Sequence, residues 1–448
     1  MVSLLLDYIN EAEGVIIMHV MKYAKTEFEV NIPEEQIVQE LESNEIAFPD
    51  RSVKEIVEDA LDHPIGAGTL DTVLNPGDTV AVLISDVTRR WQSPETYLPV
   101  LIDRINKCGV PDDHIRIISA TGTHRRQTPE EHAGLLGPEL SKRFEIIDHV
   151  CDDKEHLRFM GTSRRGTPVW LNSYAMECDK LILTGGVVYH FLAGFGGGRK
   201  SIVPGIAGRE TINTNHCNAL NPGFGSGSNP NACSGNLSHT NPFHDDLEDC
   251  AAFAKPAYLL NVVADSNQKI VAAYAGHWIK AHKKAAELVE AMDGVKAVKK
   301  CQLVIASAGG YPKDINLYQT SKTLANSLLM TEPGGTMIIL SQCGEGFGDP
   351  DCEKQLTAYE NMNEREKALR KNFSIGGYVG FDFAESSEKY NLIMVTDIPK
   401  ESFSKTKIKC ARTLDEALEI ARQCNGGSIE GMTTALLPHG AQTKPCFE

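Results

Sequence analysis

The sequence predicts an α/β fold: two α/β domains with parallel-type sheets and an active-site cleft between them. Three observations carry this. Short runs apolar on both faces recur along the chain, several of them ending in Gly, Ser, Thr or Asp. Stretches with helical apolar spacing follow several of them, and alternating strands and helices build layered sheets. The chain has 448 residues, 42% apolar and 23% charged, enough for two or three domains with buried cores.

Thr79–Ser85 (TVAVLIS) reads as the first such strand, and Glu95–Asn106 follows with helical spacing. Ile115–Ala120 is the second strand. Thr128-Pro129-Glu130-Glu131 is then a capping box with proline at the first helical position. Lys180–Leu183 and Leu259–Val263 read as further strands, then Lys280–Met292 as a helix. Cys301–Ser307, Gly335–Ser341 and Asn391–Thr396 complete the strand set. Apolarity on both faces places these strands between helix layers. A boundary is expected near residue 275, giving an N-terminal domain over 1–275 and a C-terminal one over 276–414. Residues from about 415 to 448 are expected to pack back on the first domain. The segment Leu220–Asn241, rich in Gly, Ser, Asn and Pro, is too long for an idle connection and reads as a functional loop.

Composition narrows the function. The net charge of -16 opposes nucleic-acid binding, because an acidic surface repels phosphates. No apolar run is long enough to span a bilayer, and Met1–Leu6 lacks the basic start and apolar stretch of an export signal. A cytoplasmic, soluble protein is expected. The 12 cysteines form no C-x-x-C pair, so a zinc ribbon, an iron–sulfur cluster and a redox dithiol are disfavoured.

The polar residues gather at strand exits, where open α/β sheets bind ligands. The first strand exits into Ser85-Asp86-Val87-Thr88-Arg89-Arg90, the second into Thr121-Gly122-Thr123-His124-Arg125-Arg126. The third exits into Gly185-Gly186 and then Tyr189-His190; Cys301–Ser307 exits into Gly309-Gly310-Tyr311, followed by Tyr318-Gln319 and Lys322. After His190, four glycines in five positions (Gly194, Gly196, Gly197, Gly198) precede Arg199-Lys200, a pattern that offers backbone N–H groups and charge to an anionic ligand. It matches neither a phosphate loop nor a dinucleotide fingerprint. His124 and His190 suit acid–base work, since imidazole titrates near neutrality, although a hydrogen-bonded loop histidine has the same look. His216 has no second ligand at metal-binding spacing and reads either as a ligand or as a core histidine.

Leu183–His216 resembles the signature region of the nickel-dependent lactate racemase family. Asp86-x-Thr88-Arg89, Ala120-Thr-Gly-x-His124 and Gly309-Gly-Tyr-Pro312 through Tyr318-Gln319-x-x-Lys322 match its other motifs in order. The resemblance runs from about Asn31 to Thr413. It implies a racemase or epimerase of a 2-hydroxy acid using a nickel-pincer nucleotide, a pyridinium-3-thioamide-5-thiocarboxylic acid mononucleotide. It further implies covalent attachment at Lys200, nickel ligation by His216, and cofactor contacts from Asp86, Thr88, Gly196, Gly197 and Gly198. His124 and His190 would form the acid–base pair, and Arg89, Tyr318, Gln319 and Lys322 would hold substrate. Partners implied are the small hydroxy acid and cofactor-biosynthesis proteins. Three positions depart from the lactate-specific pattern: Val87 replaces a histidine, Arg126 a proline, and Tyr378 stands for a tryptophan. The added charge of Arg90 and Arg126 leaves room for a second carboxylate, as in malate or 2-hydroxyglutarate. Two alternatives stay open: a metal-dependent hydrolase built on His124, His190 and His216, and a non-catalytic cofactor carrier.

Overall fold

The computed structural model describes residues 19–44, 46–265 and 267–447; the opening segment Met1–Leu6 lies outside them. Two sheets of six strands each organise two compact units.

The larger unit comprises residues 43–295 and 350–385. Its sheet runs, edge to edge, Ile270–Gly276, Tyr258–Ala264, Lys180–Gly186, Val80–Ile84, Ile115–Ser119, Ile146–Asp148. All neighbours are parallel except the Ile270–Gly276 edge, which runs antiparallel to Tyr258–Ala264. Val80–Ile84 is buried at every residue, as its uninterrupted apolar run requires. One face carries the helix Pro94–Lys107 through Leu98, Leu101 and Ile105; the other carries Ile202, Ile206, Phe243 and Leu247. The Thr128 capping box forms as expected and starts the helix Pro129–Leu140.

The smaller unit comprises, among the described residues, 19–42, 296–349 and 386–447. Its sheet is parallel throughout, in the order Lys409–Ala411, Asn391–Val395, Thr331–Leu340, Cys301–Ser307, Thr434–Leu437, Ile37–Glu40. The helix Leu414–Cys424 covers it with Leu414, Ala417, Leu418 and Ala421.

The chain therefore divides differently from a single boundary near 275. The helix Lys280–Asp293 stays with the larger unit, because its apolar stripe of Ala285, Ala286, Val289 and Met292 packs with Val187, Phe195 and Val263. Residues 415–448 do not return to the first sheet: Thr434–Leu437 inserts between Cys301–Ser307 and Ile37–Glu40 in the second. Residues 350–385 join the larger unit, where Leu369, Phe373, Tyr378 and Phe381 enter its core. No helix among the described residues is long and apolar enough to cross a membrane.

Candidate active site

At the exit of Val80–Ile84, Asp86 caps a turn of 3-10 helix, Val87–Gln92, by accepting from the Thr88 N–H at 3.1 Å and the Thr88 hydroxyl at 2.5 Å. Its other oxygen accepts from Nδ1 of His124, at the exit of the next strand. Burial pushes the Asp86 carboxyl up, but the hydrogen bonds from His124 and Thr88 outweigh it and hold the group below the usual carboxylate range. An ionised acceptor on Nδ1 leaves the lone pair of His124 on Nε2, the arrangement of an oriented general base. Gln127 ties the two exits together, accepting from the Val87 N–H at 2.6 Å and donating to Ser119 and Asp148.

At the third exit, Nδ1 of His190 accepts from the backbone N–H groups of Leu192 and Ala193 at 3.2 and 3.1 Å. Its Nε2 lies 3.0 Å from the Lys200 amine. Burial lowers the Lys200 pKa to about 7, with the charges of Arg199 and Arg89 adding to the effect. Burial, and then the charge of Lys200, push the His190 pKa down as well. A lysine so tuned holds a large neutral, nucleophilic fraction near pH 7.

His216 ends the helix Arg209–His216 and is 1% exposed. Neither ring nitrogen makes a well-formed hydrogen bond. Burial, then the charge of Lys200, lower its pKa to about 3, so it is a neutral imidazole with an available lone pair. Phe243 and Phe373 stand edge-on to the ring, at centroid distances of 4.8 and 6.1 Å. A buried imidazole whose nitrogens make no well-formed hydrogen bond is costly in a core and suits a ligand role. Together with the depressed amine of Lys200, it fits a group attached at the lysine and ligated by one histidine. Among the described residues, no three His, Cys, Asp or Glu side chains are grouped to hold a metal ion. The hydrolase alternative therefore lacks the convergence of His124, His190 and His216 that it requires.

The helix carrying His216 is anchored from below. Asp246, fully buried, accepts from Ser163 at 2.6 Å, Thr167 at 2.7 Å, Asn215 at 2.9 Å and Asn218 at 3.3 Å. The polar loop 220–241 has a definite place too. Its Gly235 N–H donates to the Gly194 carbonyl at 2.9 Å, and Asn241 caps the helix Pro242–Ala252. The loop thus braces the segment between His190 and Lys200.

Two of the glycines after His190 are closely packed: a Cβ on Gly194 would lie 2.6 Å from the Asn236 carbonyl, and one on Gly198 would lie 2.7 Å from the His282 ring. Both also take positive φ, +76° and +55°. Arg199, expected to offer charge to an anionic ligand, is 1% exposed and donates to the Ala193 and Phe195 carbonyls instead.

The remaining residues fall in three places. Arg89 is exposed, donates to Thr88, and its charge is felt at Asp86, His190 and Lys200. Tyr378 is buried in the larger unit, its ring 6.1 Å from Phe373 and 6.3 Å from Phe191, which stacks on His190. Arg126 lines a polar cavity of about 320 Å³ with His132, Asp148, Asp153 and His156. Tyr318, Gln319 and Lys322 lie on the helix Leu317–Met330 of the smaller unit, where Lys322 donates to Gln319 at 3.3 Å. Asp246, His282 and Asn241 escaped the sequence reading. The first two share an apolar helix face with their neighbours, Phe243, Leu247 and Cys250 for Asp246, and Ala285, Ala286 and Val289 for His282. A polar residue on such a stripe is the signal that could have found them.

Residues 23–227 match the model of the lactate racemase N-terminal domain, and 295–442 that of the C-terminal domain. A lactate racemase of Thermoanaerobacterium thermosaccharolyticum is 34% identical over 89% of this chain and 93% of its own. One from Lactiplantibacillus plantarum is 32% identical over 94% of this chain and 97% of its own. The structure of the Thermoanaerobacterium thermosaccharolyticum lactate racemase apoprotein superposes with a TM-score of 0.84 at 31% identity, covering 96% of this chain and all (100%) of that one.

Proposed function

The chain belongs to the lactate racemase family and is a 2-hydroxyacid racemase, and from this premise we propose that it works with a nickel-pincer nucleotide attached at Lys200. The observation that carries the proposal is the pairing of a depressed lysine amine with a buried imidazole whose ring nitrogens make no well-formed hydrogen bond. Lys200 would supply the covalent tether and His216 the protein ligand to nickel, with Asp86, Thr88 and Gly196–198 bordering the nucleotide. When bound, that nucleotide supplies reversible hydride acceptance.

Everything else is asked of the chain. Inverting C2 by removing its proton is hard, whereas removing hydride needs only that the hydroxyl be deprotonated. His124 and His190 are proposed to take and return that hydroxyl proton. Asp86 holds His124 in the tautomer with Nε2 open and stabilises the imidazolium that forms. The family resemblance gives substrate binding to Arg89 and Tyr378 in the larger unit and to Tyr318, Gln319 and Lys322 in the smaller one, where the cations would meet a carboxylate by charge-assisted hydrogen bonds. A single carboxylate, as in lactate, suffices for these groups. A dicarboxylate such as malate or 2-hydroxyglutarate would call on Arg126.

Lys200 separates this reading from a carrier and from a hydrolase. Protein produced together with the cofactor-biosynthesis proteins should show a mass adduct that is absent in Lys200→Ala. A panel of enantiopure 2-hydroxy acids, scored by loss of optical activity, then identifies the substrate. An unmodified wild type, or an adduct without racemisation of any acid, would sink the proposal.

A further inference from the structure

Between His190 and Lys200 every carbonyl from Leu192 to Gly196 accepts a hydrogen bond. Leu192 accepts from Asn241 Nδ2 at 2.9 Å, Gly194 from the Gly235 N–H at 2.9 Å, and Gly196 from His282 Nε2 at 2.8 Å. The other two, Ala193 and Phe195, accept from the two terminal nitrogens of Arg199. Burying a guanidinium is expensive, and one that donates to two loop carbonyls, with His282 Nε2 3.2 Å from one of its terminal nitrogens, stabilises the loop in one shape. What that shape fixes is His190. With the carbonyls held on one side, the N–H groups of Leu192 and Ala193 converge on Nδ1 of His190 at 3.2 and 3.1 Å. A nitrogen receiving two N–H donors carries no proton, so the proton of the neutral ring sits on Nε2, 3.0 Å from Lys200. His124 is the reverse, because its Nδ1 faces the Asp86 carboxylate.

We propose that Arg199 is a positioning residue which, through the Ala193 and Phe195 carbonyls, locks His190 in its Nε2–H tautomer, so that the two acid–base histidines rest in opposite tautomers. His124 presents an open Nε2; His190 presents a proton-bearing one. The inference rests on the proposed roles of these histidines for its functional meaning, but its physical content is independent of them. It gives the two directions of a racemase different starting points. The direction in which Nε2 of His190 must take a proton requires the Leu192 and Ala193 contacts to loosen, so the strap controls that direction.

The test is two-bond proton–nitrogen correlation spectroscopy on the full chain labelled with 15N-histidine, which reads the tautomer of each ring. Wild type should show His190 as a single Nε2–H species and His124 as Nδ1–H. Arg199→Met should erase the single-tautomer signature at His190 and leave His124 unchanged. Arg199→Lys keeps the charge but cannot span both carbonyls, so it should show a partial loss; it decides the matter if the methionine variant does not fold. A wild-type His190 protonated on Nδ1, or a His190 tautomer unmoved in Arg199→Lys and Arg199→Met, would overturn the proposal. Racemisation is measured in parallel to keep the two ideas apart. A moved tautomer with unchanged racemisation supports the role of Arg199 in the tautomer and removes His190 from the chemistry. Lost racemisation with an unmoved tautomer overturns the proposal.

Discussion

Asp86 touches three groups that differ in kind: a hydroxyl, a backbone N–H and an imidazole. Only the last bears on proton transfer, and Asp86→Asn tests it, the Lys200 adduct serving as the check on cofactor binding. An amide can donate to Nδ1 and draw His124 into the wrong tautomer while the turn at Val87–Gln92 survives. Racemisation should fall by about 10²–10⁴-fold, the range for losing an oriented acid–base group, with the Lys200 adduct mass unchanged; retained activity would remove His124 as the base. Arg126 is the other residue to decide. Its cavity already holds Asp148 and Asp153, so Arg126→Ala should weaken turnover of a dicarboxylate more than of lactate, and equal effects would end the two-carboxylate idea. His124 and His190 were legible as candidates because each follows a strand exit, whereas Lys200 and His216 stood out only through the resemblance to the family's signature region. The purpose of Arg199 was not, because a cation beside a glycine loop looks the same in sequence whether it faces a ligand or a carbonyl.

At the scale of elements, strands buried on both faces were readable almost to the residue, Cys301–Ser307 among them. The short edge strands Ile37–Glu40, Ile146–Asp148 and Lys409–Ala411 were not, since three or four residues leave no period to detect. The helix Arg209–His216 depends on more than its own sequence. It is short and polar, and Asp246 ties its last turn through Asn215 to Ser163 and Thr167. Asp246→Ala would strand several buried donors at once, each costing about 1–3 kcal/mol. Urea denaturation should show a loss of about 3 kcal/mol or more. Asp246→Asn, which keeps one acceptor oxygen, should lose less; equal losses would mean that volume, not hydrogen bonding, holds the helix.

The whole molecule is discontinuous in sequence, each unit being assembled from separated stretches. Linear reading missed this because nothing in residues 350–385 or 415–448 announces which sheet will receive them; the partner surfaces are remote in the chain. Burial also gives the larger unit a collective property. His149, His244 and His282 are each 4% exposed or less, and desolvation lowers their pKa values to about 4, 3 and 3. In the unfolded chain each returns to about 6.5. Below that value the unfolded state binds protons that the folded state refuses, so stability is complete above about pH 6.5 and falls as pH drops toward 4. Each such histidine contributes a slope of at most about 1.4 kcal/mol per pH unit. His149 donates to the Ala207 carbonyl at 2.9 Å and meets Asn172 at 3.1 Å, contacts a glutamine can partly replace. His149→Gln should therefore be less stable than wild type at neutral pH yet lose stability more gently on acidification. Urea midpoints between about pH 7.5 and 5 measure this. Parallel curves for the two proteins would mean that His149 is not held neutral in the fold.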